Sequence, residues 1–137
     1  MATRRLFLKT LGGLTVIGAA AGAYGFWFEP AHRLSITEYR PRLPLWPAST
    51  PITIAALADI HANDPYMPLE RLAQIVETTN ALNPDLVVLL GDYPGTGRLI
   101  SRAIPVAETA QVLKGLRARH GVHSVLGNHD WWDDVQV

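Results

Sequence analysis

Three short apolar runs after residue 51 are each followed by polar residues. The runs cover residues 52–57, 86–90 and 122–126 and are rich in β-branched residues and leucine. Runs of this length and composition predict strands of a parallel sheet that is buried on both faces. Because each run ends in polar side chains, the pattern places candidate chemistry at the carboxyl ends of three strands.

Two segments with helical spacing of apolar residues separate these runs. Residues 69–82 end at the helix breaker Asn83-Pro84-Asp85, and residues 104–119 end in basic residues before His120-Gly121. The resulting order β-α-β-α-β predicts an α/β fold. In open α/β sheets, ligands bind outside the carboxyl ends of the strands. We therefore expect the three polar clusters to converge on one crevice.

The polar clusters contain donors that suit a divalent metal. Asp59 and His61 follow the first run, and a carboxylate and an imidazole at this spacing can turn toward one ion. Asp92 follows the second run, and its two oxygens could bridge two cations about 3.5 to 4 Å apart. Asn128, after the third run, offers an amide oxygen to the second ion. His129 would face elsewhere on an extended backbone, which leaves it free to meet a substrate.

The order Asp-x-His, Gly-Asp and Gly-Asn-His-Asp on successive strands resembles the calcineurin-like metallophosphoesterase superfamily. Residues 53–132 are most similar to its exported or membrane-associated bacterial branch. The resemblance implies a β-sandwich flanked by helices and phosphoester hydrolysis by a hydroxide that a dinuclear metal centre activates. It implies that Asp59 and His61 hold the first of two divalent ions. Mn, Fe, Zn or Mg would each suit the mixed oxygen and nitrogen donors. It further implies that Asp92 bridges both ions and that Asn128 holds the second.

The remaining candidate residues concern catalysis and the substrate. By the same resemblance, His129 stabilises or protonates the phosphoryl transition state. Asp130 is expected to support the site by orienting His129 rather than by ligating a metal. No substrate-binding residue is identified by the motifs, although Arg98 in the following loop is a candidate phosphate contact. Asp64 and Tyr66 could reach a substrate, but a turn that ends in Pro65 explains them equally well.

Complete members of the superfamily have a further histidine and a later Gly-His-x-His motif that this chain lacks. His32 lies in the linker, and His120 and His123 lie beside the third run, so all three are expected at helix ends or on the surface. We therefore expect residues 52–137 to be the amino-terminal part of a truncated metallophosphoesterase domain. The alternative is a non-catalytic, membrane-tethered remnant that binds metal or phosphate weakly.

Residues 1–28 predict a route to a membrane. The sequence Thr-Arg-Arg-Leu-Phe-Leu-Lys at residues 3–9 resembles a twin-arginine export signal. That resemblance implies the twin-arginine translocase as a partner and export across, or anchoring in, the bacterial cytoplasmic membrane on its periplasmic side. Residues 11–28 are uncharged and would span about 27 Å as a helix. Small residues at 19–23 and aromatic residues at 24–28 leave both a cleaved signal peptide and a signal anchor open.

The segment 29–51 predicts a linker with room for a first strand. Leu34 and Ile36 alternate with polar residues before four prolines interrupt any regular continuation. The whole chain has 12 basic and 12 acidic residues, so its net charge gives no reason to expect nucleic-acid binding. It contains no cysteine, which excludes disulfides and thiolate metal ligands.

Overall fold

The computed structural model describes residues 2–47, 49–97 and 100–132. These residues divide into two units, Met1–Ile36 and Thr37–Val137. The first unit is helical: helix α1, Ala2–Ala23, continues into a π-helical turn, Tyr24–Phe28, and then into the short helix α2, Glu29–His32. The stretch Thr3–Phe28 is long and apolar enough to cross a membrane by length and composition, and it is not buried within the unit.

The described residues between α2 and the sheet, 33–47 and 49–53, contain no helix or strand. The first strand that the alternation around Leu34 and Ile36 allowed is therefore not formed. Both side chains are exposed, so neither gains the burial that would favour an extended strand. The prolines that follow cannot donate backbone hydrogen bonds to a partner strand.

The second unit is built on a parallel sheet of three strands: β1, Ile54–Leu57, β3, Leu86–Leu89, and β5, Val122–Ser124, in the spatial order β1-β3-β5. Helix α3, Leu69–Ala81, connects the first pair of strands, and helix α4, Val106–Leu113, connects the second pair. The predicted order of strands and helices is confirmed. The predicted segments for α4 and β5 extend beyond the observed ends, because periodicity locates an element better than its boundaries.

Three short elements of the second unit, like α2 in the first, were not expected from the sequence. Strands β2, Asn63–Asp64, and β4, Arg102–Ala103, form an antiparallel ribbon beside the ends of β1 and β3. Helix α5, His129–Trp132, is a single turn that begins inside the third polar cluster. Elements of two to four residues are too short to show a period of 2 or 3.6, so side-chain pattern does not reveal them.

Helices α3 and α4 pack on the same face of the sheet. Crossovers between parallel strands are almost always right-handed, and two successive crossovers in one direction place their helices on one side. The core between helices and sheet consists of Ile60, Ala62, Leu72, Val76, Val87, Leu89, Tyr93, Ile104, Leu113 and Leu116.

The other face of the sheet has no cover within the described residues, so the expectation of strands buried on both faces is wrong for this part of the chain. Burial alternates along β3, where Val87 and Leu89 are buried and Leu86 and Val88 are only partly buried. Ile54 on β1 remains 52% exposed. One apolar face is therefore open in the described structure.

Strand β5 forms an edge of the sheet and is exposed along its length. The apolar residues that follow it, Val125 and Leu126, are 58% and 57% exposed. The chain turns there into the loop that carries the third polar cluster. The loops after β1, β3 and β5 thus all leave the sheet at the edge formed by the carboxyl ends of its strands.

Candidate metal centre

The loops after β1 and β3 hold their metal-ligand candidates in a strained backbone conformation. Asp59, His61 and Asp92 have φ angles of 53°, 43° and 58°. This left-handed region costs a non-glycine residue about 1 to 3 kcal/mol and persists where the surroundings impose it. One ligand atom from each of these three residues lies within 4.8 Å of the other two. The structure therefore brings together three polar side chains from two loops.

Backbone hydrogen bonds continue between the two loops beyond the ends of the strands. The N–H of Asp59 donates to the carbonyl of Gly91 at 3.2 Å, and the N–H of His61 donates to the carbonyl of Asp92 at 2.9 Å. The next bond joins the N–H of Ala62 to the carbonyl of Tyr93. These bonds fix the Asp-x-His motif and the Gly-Asp motif against each other.

The imidazole of His61 is oriented for metal binding through Nε2. Its Nδ1 lies 2.9 Å from the carbonyl oxygen of Pro94, which can only accept a hydrogen bond, so Nδ1 carries the proton. Nε2 then presents its lone pair and lies 3.9 Å from Oδ1 of Asp59. A backbone carbonyl that holds the second ring nitrogen is a usual support for a metal-binding histidine. Two carboxylates and a neutral imidazole suit a divalent cation.

Two glycines allow the loops after β3 and β5 to touch. A Cβ atom on Gly91, which has a φ of 93°, would lie 2.6 Å from Cα of Gly127. A Cβ atom on Gly127 would lie 2.7 Å from Cγ of Asp92. Neither contact can exist in a folded protein, so these positions require glycine. The close approach lets Oδ1 of Asp92 accept the backbone N–H of His129 at 2.8 Å.

Asp130 joins the same two loops through its buried carboxylate. Oδ2 accepts the N–H groups of Asp92 and Gly127, both at 2.7 Å, and Oδ1 accepts the N–H of Tyr93 at 3.0 Å. Hydrogen bonds to a charged acceptor are stronger than neutral ones. Asp130 thus supports the site by holding two loops together, while its action on His129 stays a prediction.

His129 lies next to the cluster of ligands. It begins helix α5, so the extended backbone assumed from the sequence is wrong. Its ring lies edge-on to the ring of His61, with 5.0 Å between the ring centroids. The side chain is half-buried. His129 thus lies beside the metal-ligand candidates, and its contact with a substrate stays a prediction.

The residues on either side of Asn128 lie against Asp92, the residue predicted to bridge two cations. Its neighbours Gly127 and His129 both approach the carboxylate of Asp92. The side chain of Asn128 is exposed, and its backbone carbonyl accepts the N–H of Trp131 at 3.2 Å. Its loop is therefore at the site, while ligation of a second ion by its amide stays a prediction.

The other candidates are placed differently. Arg98 lies outside the described residues. Asp64 lies 3.7 Å from a guanidinium nitrogen of Arg102, so part of its charge is already paired within the ribbon of β2 and β4. Tyr66 donates its backbone N–H to the side chain of Asn63 at 3.4 Å.

The remaining histidines form no second ligand group in the described part of the chain. His32 packs against the ring of Phe28 in the first unit. His120 and His123 are exposed, and Nε2 of His123 lies 3.1 Å from the carbonyl of His120. Among residues 2–47, 49–97 and 100–132, a metal-ligand group of three His, Asp or Glu residues forms at Asp59, His61 and Asp92 alone.

Tyr93 is a site residue that the sequence reasoning missed. It is 8% exposed, and its hydroxyl donates to the carbonyl of Val125 at 3.0 Å. Burial and the nearby Asp130 carboxylate raise the pKa of Tyr93, although bonds to Ser124 and the Gly91 backbone oppose the rise. The phenol therefore stays protonated as a donor. Its position after Asp92 was the only hint in the sequence.

Comparison with known proteins identifies the family. The profile of the calcineurin-like phosphoesterases matches residues 52–137. The chain belongs to this family. Calcineurin-like phosphoesterases use divalent metals, which agrees with the ligand cluster, and the resemblance seen in the motifs is confirmed.

Curated relatives match the same part of the chain. The chain is 38% identical over 81 residues to a Caenorhabditis elegans protein named as a putative metallophosphoesterase. The matched residues make up 58% of this chain and 15% of the relative. It is 35% identical over 81 residues, 59% of this chain and 17% of the relative, to the Danio rerio "Transmembrane protein with metallophosphoesterase domain". The Bos taurus protein of that name is 34% identical over 91 residues, 66% of this chain and 19% of the relative.

The chain spans less than a fifth of the length of these curated relatives. No solved structure matches it significantly. The family assignment therefore rests on the sequence profile and the named relatives, and the site geometry is read from this chain alone.

Proposed function

We propose that this protein hydrolyses a phosphoester with two divalent cations held where β1, β3 and β5 end. The observation that carries the proposal is the convergence of Asp59, His61 and Asp92, whose ligand atoms lie within 4.8 Å of one another. Membership of the phosphoesterase family supports the class of reaction. The mixed oxygen and nitrogen donors suit Mn, Fe, Zn or Mg.

Each site residue then has a separate task. Bound cations would lower the pKa of water and offset the charge of the phosphoryl oxygens. Asp59 and His61 would hold one ion, with Nε2 of His61 kept available by the bond of Nδ1 to a backbone carbonyl. Asp92 would contribute a carboxylate oxygen to each ion, and Asn128 would hold the second. His129, beside His61, donates to the leaving or an equatorial phosphoryl oxygen.

The same proposal includes association with a membrane through the first unit. The stretch Thr3–Phe28 has the length and composition of a membrane-spanning helix, which a signal sequence would also have. The Danio rerio and Bos taurus relatives are named transmembrane proteins. Aromatic residues at 24–28 suit the headgroup region of a bilayer.

Export by the twin-arginine translocase is the finer part of the proposal. It rests on Arg4 and Arg5 ahead of the uncharged residues 11–28. The relatives reported above are animal proteins and give no support to a bacterial source or a periplasmic location. Expression in a bacterium with both arginines replaced by lysine tests the motif: retention in the cytoplasm would support it, and unchanged export would refute it.

The test of the metal centre uses the full chain in detergent micelles. Calorimetric titration with Mn²⁺ measures binding, and hydrolysis of bis(p-nitrophenyl) phosphate measures turnover. We expect wild-type protein to bind Mn²⁺ and Asp92→Asn to lose most of that binding, because a neutral amide with a single ligating oxygen replaces the negatively charged bridging carboxylate. Glu77→Gln changes an exposed carboxylate on α3 and should bind as wild type does.

The outcomes separate the proposed functions. Metal binding with turnover, both lost in Asp92→Asn, would support a phosphoesterase that acts in this chain. Metal binding without turnover would favour the alternative, a non-catalytic membrane-tethered protein that binds metal or phosphate weakly. Wild-type protein that binds no Mn²⁺ above the level of Asp92→Asn would contradict the proposed centre.

A further inference from the structure

Tyr93 makes hydrogen bonds to both loops that flank its own. Its carbonyl accepts the N–H of Ala62 at 2.9 Å, in the loop that follows β1. Its N–H donates to Asp130 at 3.0 Å, and its hydroxyl donates to the carbonyl of Val125 at 3.0 Å, both after β5. The backbone bonds use no side-chain atom of Tyr93, so a substitution such as Tyr93→Phe leaves their donors and acceptors in place. The phenol bond is the one that depends on the side chain being tyrosine.

The phenol lies at the boundary between the core and the exposed backbone of the loop after β5. Its side chain belongs to the buried core and lines an apolar cavity of about 390 Å³ between α4 and the end of β5, together with Leu89, Leu113 and Val122. Val125 is itself exposed, and it precedes Asn128 by three residues. Within the described residues the tyrosine hydroxyl thus reaches from the core to the backbone just ahead of the third cluster.

We propose that Tyr93 is a positioning residue that sets the loop after β5 at the distance from Asp92 that a second cation needs. This inference rests on the proposed two-cation function and adds a residue that controls one of the two ions. The ion held by Asp59 and His61 depends on the loops after β1 and β3, which are joined by backbone bonds. The ion at Asn128 depends on the loop whose carbonyl the phenol holds.

The two ions should therefore respond differently to Tyr93→Phe. This variant keeps the ring in the core and removes only the hydroxyl. Loss of one hydrogen bond is worth about a fivefold change in an equilibrium constant. We expect the second ion to bind about fivefold more weakly, while the affinity of the first ion changes less than about twofold.

The experiment titrates the full chain in detergent micelles with Mn²⁺ and separates the two binding steps by calorimetry. Leu113→Val is the matched control, because it shortens another side chain that lines the same cavity and removes no hydrogen bond from the three loops. It should lower the unfolding temperature and leave both binding steps unchanged. Selective weakening of the second step in Tyr93→Phe, absent in Leu113→Val, would support the positioning role.

Equal weakening of both steps, or no change, would overturn it. A second measurement keeps the inference separate from the proposed function. In metal-free protein, hydrogen exchange of residues 125–130 should be faster in Tyr93→Phe than in wild type, while exchange in α3 stays the same. If wild-type protein binds no second ion, the two-cation proposal fails, and unchanged exchange would refute the positioning role independently.

Discussion

The side chains at the edge of the sheet where β1, β3 and β5 end differ in their surroundings from those on its open face. At the edge, polar groups are buried and paired: the Asp130 carboxylate accepts three backbone N–H groups, and Asp92 accepts another. On the open face, apolar residues lie in solvent, with Ile54 52% and Leu90 50% exposed. The polar groups at the edge find hydrogen-bond partners within this chain, whereas none of the described residues packs over the open face.

Short local motifs determine the structure at the edge, whereas burial of the open face depends on packing against a separate element. The edge depends on short motifs whose members are neighbours in the chain or lie on adjacent strands. Glycines at 91 and 127 make their contact without any further element. An apolar face is buried only by a separate layer of structure. Mutations at the edge should therefore affect metal binding and stability together, whereas mutations on the open face should affect neither strongly.

The largest effect is expected from Asp130→Asn. The amide replaces an acceptor oxygen with a donor in a site where three N–H groups converge. We expect a loss of about 3 kcal/mol or more in the free energy of unfolding, because a buried N–H is left without a partner. Chemical denaturation with and without Mn²⁺ measures it. Asp85→Asn is the control, since that carboxylate accepts one N–H, from Thr53, at the other end of β3.

A loss in Asp130→Asn no larger than in Asp85→Asn would mean that the three bonds do not hold the edge together. In that event the buried carboxylate would have to be explained by something other than the loops it bridges.

A smaller effect is expected from truncating neighbouring valines on β3. Val87 is fully buried against the helices, whereas Val88 points to the open face and is only partly buried. Val87→Ala should cost about 2 kcal/mol by transfer and cavity terms, and Val88→Ala less than about 1 kcal/mol. Thermal unfolding compares them directly. Equal costs would show that the open face is covered in solution and would remove the contrast between edge and face.

An effect smaller than that of Val87→Ala, and of opposite sign, is expected from Asp59→Gly. Asp59 has a φ of 53°, which glycine adopts without steric cost. We expect metal-free protein to gain about 1 kcal/mol of stability, while Mn²⁺ affinity falls because a ligand is lost. Denaturation and calorimetry on the same samples measure both. A variant that loses stability without metal would show that strain at Asp59 is not stored for binding.

The sequence was sufficient for the order of the three parallel strands and the two helices between them, and for the three residues of the ligand cluster. The apolar runs predicted β1, β3 and β5, and their polar ends predicted that Asp59, His61 and Asp92 would meet. These inferences succeeded because strand direction alone brings the ends of parallel strands to one edge. Their success did not require knowledge of any side-chain packing.

Other features depend on geometry that residue type does not encode. The role of Tyr93 follows from a hydroxyl that meets a carbonyl 32 positions away. The orientation of His61 follows from a carbonyl 33 positions away. The prediction that both faces of the sheet are buried was wrong for the described residues. An apolar run indicates that a strand can be buried, but it does not identify the segment that covers it.

The central claim is that Asp59, His61 and Asp92 together hold a divalent cation. Anomalous diffraction from crystals of the full chain grown with Zn²⁺ tests it most directly. The account predicts an ion about 2.0 to 2.2 Å from a carboxylate oxygen of Asp59, from Nε2 of His61 and from a carboxylate oxygen of Asp92. An ion bound elsewhere, with these three side chains unligated at saturating Zn²⁺, would contradict it.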